Sequence, residues 1–168
     1  MTISTALVLG PAMLAVAYGA YLMRWIIKLP SGSDRMQSIA RAIEEGAKAY
    51  LGRQYKTIAG VAVIAAFVLW LLTDLNTALA FLVGAILSGT AGYLGMTISV
   101  KANVRTTEAA KHGIEKALDV AVKGGTITGL FVVGLGLLGV AGFYFLTKDV
   151  SALVGLAFGG SLISVFAR

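Results

Sequence analysis

Residues 57–100 read TIAGVAVIAAFVLWLLTDLNTALAFLVGAILSGTAGYLGMTISV, and Asp74 is the only charged side chain in the stretch. A run this apolar, interrupted once by TDLN, reads as two membrane-crossing helices joined by a tight turn. A crossing helix needs roughly 20 apolar residues, and a helix satisfies its own backbone in hydrocarbon. Residues 2–23, 124–147 and 150–167 likewise contain no Lys, Arg, Asp, Glu or His. The chain is therefore read as all-α, a polytopic membrane helix bundle. Its five spans are placed at about 3–27, 57–73, 76–100, 124–147 and 150–168.

Composition agrees. Of the 168 residues 58% are hydrophobic and 13% charged, with a mean hydropathy of +0.86; a soluble domain carries about 25% charged residues. With no cysteine and a single histidine, His112, thiolate and multi-histidine metal sites are excluded. The net charge of +6 would suggest nucleic acid in a soluble protein, but here its placement gives a different reading. Arg24, Lys28, Arg35, Arg41, Lys48, Arg53 and Lys56 lie between the first two spans, and Lys101, Arg105, Lys111, Lys116 and Lys123 between the third and fourth. Twelve of the fourteen basic residues thus share one side, which the positive-inside rule makes cytoplasmic. The N-terminus is then expected outside a cell membrane, Arg168 at the cytoplasmic face, and no nucleic-acid partner. AVAYGA (15–20) offers small residues for signal cleavage, but no basic region precedes the apolar run, so span one is read as retained.

The two basic connections carry helical patterns. Met36, Ile39, Ile43, Ala47, Tyr50 and Leu51 recur every three or four positions, and Asp34 with Gln37 resembles a capping box. Ala109, Ala110, Ile114, Ala117, Leu118, Ala121 and Val122 form a second stripe, with Thr106 or Thr107 as its cap. Both are expected as cytoplasmic helical extensions, at about 34–56 and 106–123, continuing into the spans. The rival reading lays them flat among the head groups.

Twenty-one glycines exceed what simple spans require. Gly125 and Gly129, Gly155 and Gly159, and Ser88 and Gly92 are each four apart, the spacing at which helix backbones approach closely. GLGLLG (134–139) matches a dinucleotide fingerprint in letters only, since no strand precedes it. The charge-free runs 2–23, 57–73, 75–100 and 124–147 hold no acidic or basic group for proton carriage. The acidic residues among the basic ones read as surface ion pairs. Ser161, Ser164 and Arg168 share one helix face, which suits a polar path or a protein contact; a snorkelling arginine is the alternative.

GAKAYLGRQY (46–55), VKANVRTTEAAK (100–111), GGTITGLFVVGLGLLGV (124–140) and LVGLAFGGSLISVFAR (153–168) resemble the N-terminal quarter of the membrane-bound, ion-translocating inorganic pyrophosphatases. The likeness is close over about residues 36–168, while span one matches only in type and charge placement. It implies a larger multi-helix homodimer that hydrolyses magnesium pyrophosphate at the cytoplasmic side and moves H+ or Na+ outward. It makes the first four spans outer supporting helices and the fifth an inner one. Arg168 becomes an ion-coupling residue below the hydrolytic site, with Ser161 and Ser164 as possible polar lining. The family's Mg2+- and substrate-binding segments have no counterpart here, so this stretch alone is expected to be a fragment that neither hydrolyses nor pumps. Potassium dependence is left open. A non-enzymatic helical membrane subunit or scaffold is the alternative.

Overall fold

The computed structural model describes residues 3–166, and side chains for 5–162. Among these residues the chain forms five helices: α1 (Ile3–Lys28), α2 (Asp34–Leu72), α3 (Leu75–Ala110), α4 (Ile114–Thr147) and α5 (Ala152–Phe166). The first four are long and apolar enough to cross a membrane. At 1.5 Å per residue, the 39 residues of α2 extend about 58 Å, nearly twice the hydrocarbon thickness. Residues 34–56 are therefore the unbroken continuation of the helix through 57–72. The described part of α5 is 15 residues, about 22 Å, which is short of a full crossing.

The two short connections stop the helices by local chemistry. After α2, the Thr73 N–H and hydroxyl both donate to Leu69 O, at 2.8 and 2.6 Å. Asp74 then caps α3, accepting from the Thr77 N–H at 2.9 Å and its hydroxyl at 2.7 Å. These bonds hold its carboxyl below the ordinary 3.8, the backbone one most strongly. After α4, Lys148 adopts a left-handed φ of 58° and its N–H donates to Tyr144 O. Asp149 Oδ1 accepts from the N–H groups of Ser151 and Ala152, starting α5.

At the opposite, basic end two boundaries differ from the sequence expectation. The extension expected over 106–123 is two pieces: α3 runs on to Ala110, and α4 starts at Ile114. Thr107 caps nothing; its hydroxyl donates back to Asn103 O within α3. The chain turns at Gly113, whose φ of +111° is open to glycine at no steric cost. The α2 cap is Ser33 rather than Asp34, and Gln37 Nε2 reaches back to Gly32 O at 2.9 Å.

Helix α3 is the axis of the bundle and contributes to all three apolar clusters. Leu22 and Ile26 of α1, Ile98 and Ala102 of α3, and Ile127 and Phe131 of α4 form the largest. Ala62 and Ala66 of α2 close over Phe81. Ala152 and Leu156 of α5 pack on Ala80.

Candidate functional site

The seam between α3 and α5 is where backbones come closest. The two helices run parallel, both starting at the short-turn end. A Cβ built at Gly155 would overlap Thr77 O, one at Gly159 would overlap Phe81 O, and one at Gly84 would overlap Leu156 O. Only a hydrogen at these three positions leaves room for the facing carbonyls. One turn further on, Ser88 Oγ donates to Gly160 O at 2.7 Å, a direct bond between the helices. Gly84, Ser88 and Gly92 are successive members of one four-residue register; the sequence pairing of Ser88 with Gly92 finds the row but misses its tightest member. Beside the seam, α3, α4 and α5 enclose a groove of about 350 Å³ lined by Gly84, Ser88, Gly92, Gly136, Gly139 and Gly160.

Gly125 and Gly129, expected to pack a helix, meet no neighbour among the described residues. A Cβ at either meets nothing within 4 Å, so neither packs a helix among the described residues. The inward row of α4 is Gly124, Ile127, Phe131 and Gly134, all buried. Gly125 lies about 100° round the helix from that row. Gly134 sits against Val16 and the Ala12 carbonyl of α1, and Gly139 against Leu87 of α3.

Of the polar row expected on α5, Ser161 is exposed and its hydroxyl donates to Phe158 O at 2.9 Å. Ser164 lies in the helix but its side chain, like all of Arg168, is outside the described residues.

The basic end holds the densest polar grouping. Trp25 of α1, Arg105 and Glu108 of α3, and His112, Lys116 and Asp119 line a cleft of about 510 Å³. Arg105 is its structural element. Its Nη1 donates to Lys101 O at 2.7 Å and its Nη2 to Ile27 O at 3.0 Å, tying α3 to the end of α1. Burial pushes the guanidinium below its usual value. Sequence reasoning assigns Arg105 only to the cytoplasmic charge; no spacing signal marks a contact 78 residues away. Lys123 stacks over the Trp25 ring at 4.2 Å and pairs with Asp119 at 2.7 Å. Glu44 pairs with Lys48 and Glu108 with Lys111, as the surface-pairing expectation has it. The hydrogen bond from Lys48 is the main reason Glu44 titrates below 4.5. Among the described residues no group of three or more His, Asp or Glu side chains could hold a metal ion.

The glycine seam between α3 and α5 and the Arg105 tie at the basic end fix how these helices sit, and the comparisons with known proteins carry the assignment. The family described as inorganic H+ pyrophosphatase matches residues 13–168. The chain belongs to this family. The match reaches back into α1, further than the start near residue 36 expected from the quoted segments. A K(+)-insensitive pyrophosphate-energized proton pump of Methanosarcina mazei is 49% identical over 158 residues, covering 93% of this chain and 24% of that protein. A K(+)-insensitive pyrophosphate-energized proton pump 2 of Moorella thermoacetica is 43% identical over 163 residues, covering 92% and 24%. Pyrophosphate-energized membrane proton pump 3 of Arabidopsis thaliana is 35% identical over 182 residues, covering 88% and 23%. The chain spans about a quarter of the length of these relatives.

Proposed function

We propose that this chain is the N-terminal membrane portion of a pyrophosphatase that couples hydrolysis of magnesium pyrophosphate to outward ion transport. The observation that carries this is the family match running from residue 13 to residue 168, through every helix. The relatives' names favour H+ over Na+, and a pump that runs without K+. The concentration of basic residues on the 24–56 and 101–123 connections supports a cytoplasmic basic end and an outside N-terminus in a cell membrane. On this reading α1–α4 are the outer frame. The seam holds α5 against it, Arg168 is the ion-coupling residue with Ser161 and Ser164 as possible polar lining, and the pump works as a homodimer.

Phosphoryl transfer on so charged a substrate needs metal ions and cationic clamps aimed at the developing charge. The acidic residues described here are ion-paired or solvated and do not fit that task, so Mg2+ and pyrophosphate would be held by the rest of the pump. The 168 residues alone are then inactive. The test is to purify this chain alone, and separately to graft it in place of the matching quarter of the Methanosarcina mazei relative. Phosphate release from magnesium pyrophosphate is then measured for both. Release by the graft and none by the isolated chain is expected. A folded, membrane-inserted graft without release would favour the second reading, a helical subunit or scaffold. That alternative draws on the ion-free interiors of the first four spans.

A further inference from the structure

We propose that the outward face of α4, from Ile114 to Gly136, seats one further helix from the three quarters of the pump that lie outside this chain, a helix that itself runs on past the bilayer at the basic end. The inference rests on the pump reading. Ile114, Leu118, Val122, Gly125, Gly129 and Val132 fall on the side of α4 turned away from the buried Val120, Gly124 and Ile127. None of the six is polar and all are exposed, Ile114 by 87%, Leu118 by 61% and Val122 by 57%.

Depth decides what covers this face. Counting back from Thr147, about 20 residues fill a 30 Å hydrocarbon layer, which puts its far boundary near residue 127. Head groups add about 6 Å and end near Lys123. Ile114 is then about 13 Å further out, in the aqueous layer. The stretch does not lie flat among the head groups, because α4 is one unbroken helix from Ile114 to Thr147. Acyl chains therefore do not reach Ile114 or Leu118, and burial against protein is what removes them from water. On α2, by contrast, the exposed Val63, Ile64, Phe67 and Leu71 all lie inside the charge-free run 57–73, where lipid covers them.

Below Val122 the face turns to glycine. A Cβ at Gly125, Gly129 or Gly136 meets nothing within 4 Å, so a second backbone can come close there, as α5 does to α3 at Gly155 and Gly159. Further in, Val132 and Gly136 line the groove between α3, α4 and α5, together with Leu156 and Gly160. The face thus opens on the side where α5 sits, and on the pump reading α5 is an inner helix. That side looks into the pump, so the occupant is a helix of the same polypeptide. A second copy fits less well. Related by a two-fold axis along α4, it would set the Glu115 edge against Ala117 and Ala121, with no cation opposite the carboxylate.

The experiment uses this chain grafted into the Methanosarcina mazei relative, with a benzophenone-bearing residue in place of Leu118. Irradiation should join that position to a peptide from the ungrafted three quarters of the same polypeptide, without doubling its mass on a gel. No attachment, or attachment to lipid or to a second copy, would overturn the proposal. A second measurement labels Leu118→Cys with a water-soluble maleimide, the chain having no cysteine of its own. The isolated chain should label about tenfold or more faster than the graft, since a seated face must open to react. Equal rates would overturn the proposal. Phosphate release from the same preparations reads the pump proposal separately. A graft that releases phosphate yet labels at the isolated-chain rate contradicts the seated helix alone. A graft without release whose Leu118 position is still joined to the ungrafted part upholds it.

Discussion

Replacing Gly159 by alanine places a methyl where the Phe81 carbonyl oxygen already lies. The facing atoms are backbone, so no rotamer change relieves the overlap; α5 must move off α3. Overpacking of this kind costs about 1–3 kcal/mol. The shift also breaks the 2.7 Å bond from Ser88 to Gly160. Side-chain bonds between membrane helices are worth about 0.6 kcal/mol on average and up to about 1.7. Together these give about 2–4 kcal/mol, or roughly 30- to 1,000-fold in the docking equilibrium of α5. Gly129→Ala is the control, since nothing lies within 4 Å of that position. It should be neutral or stabilising by up to about 1 kcal/mol, from helix propensity alone. The chain has no cysteine, so Leu79→Cys and Val154→Cys, both at exposed positions, can carry a fluorophore pair reporting α3–α5 separation. Energy transfer through an SDS titration in mixed micelles measures the difference. If Gly159→Ala and Gly129→Ala fall within about 0.5 kcal/mol of each other, the additivity error for separate sites, the close-contact seam is wrong.

Arg105→Ala should release the last turn of α1 from α3, seen as faster amide exchange at residues 26–29, with Arg105→Lys restoring little because it cannot reach both carbonyls. The Asp74 carboxyl is held below its ordinary 3.8 in the folded chain, so the stability it contributes is fully present above that pH. That contribution should fade as pH falls through the lowered value; protection of the Thr77 amide between about pH 5 and pH 2 reads it, and Asp74→Asn should flatten the profile. In the grafted pump, Arg168→Ala should impair ion transport while the protein still assembles; transport at the unaltered level would make Arg168 an interfacial anchor.

The helices were legible because charge is so costly in hydrocarbon that its absence outlines each span. The turns at Asp74 and Lys148–Asp149 stood out for the same reason. The break at 111–113 did not, because the apolar stripe keeps its spacing on both sides of Gly113 and nothing in the pattern marks a positive φ. The glycine rows were only half legible. Lipid and protein are equally apolar partners, so four-residue spacing shows that a face permits close approach without showing which face has a neighbour. Hence Gly155 and Gly159, expected as packing residues, lie against α3, while Gly125 and Gly129 face away from the bundle and Gly124, Gly134 and Gly139 do the packing on α4. Arg105 was hidden among the charges of the basic end because its partner is a carbonyl 78 residues away in α1, which leaves no trace in residue spacing.

The central claim is that these helices form part of a pyrophosphate-driven ion pump. It is tested most directly in inside-out vesicles carrying the grafted Methanosarcina mazei pump, by following internal pH and sodium uptake after pyrophosphate is added. The account predicts pyrophosphate-dependent accumulation of an ion, H+ first, that collapses with an ionophore. A graft that inserts and hydrolyses pyrophosphate yet accumulates neither ion would contradict it.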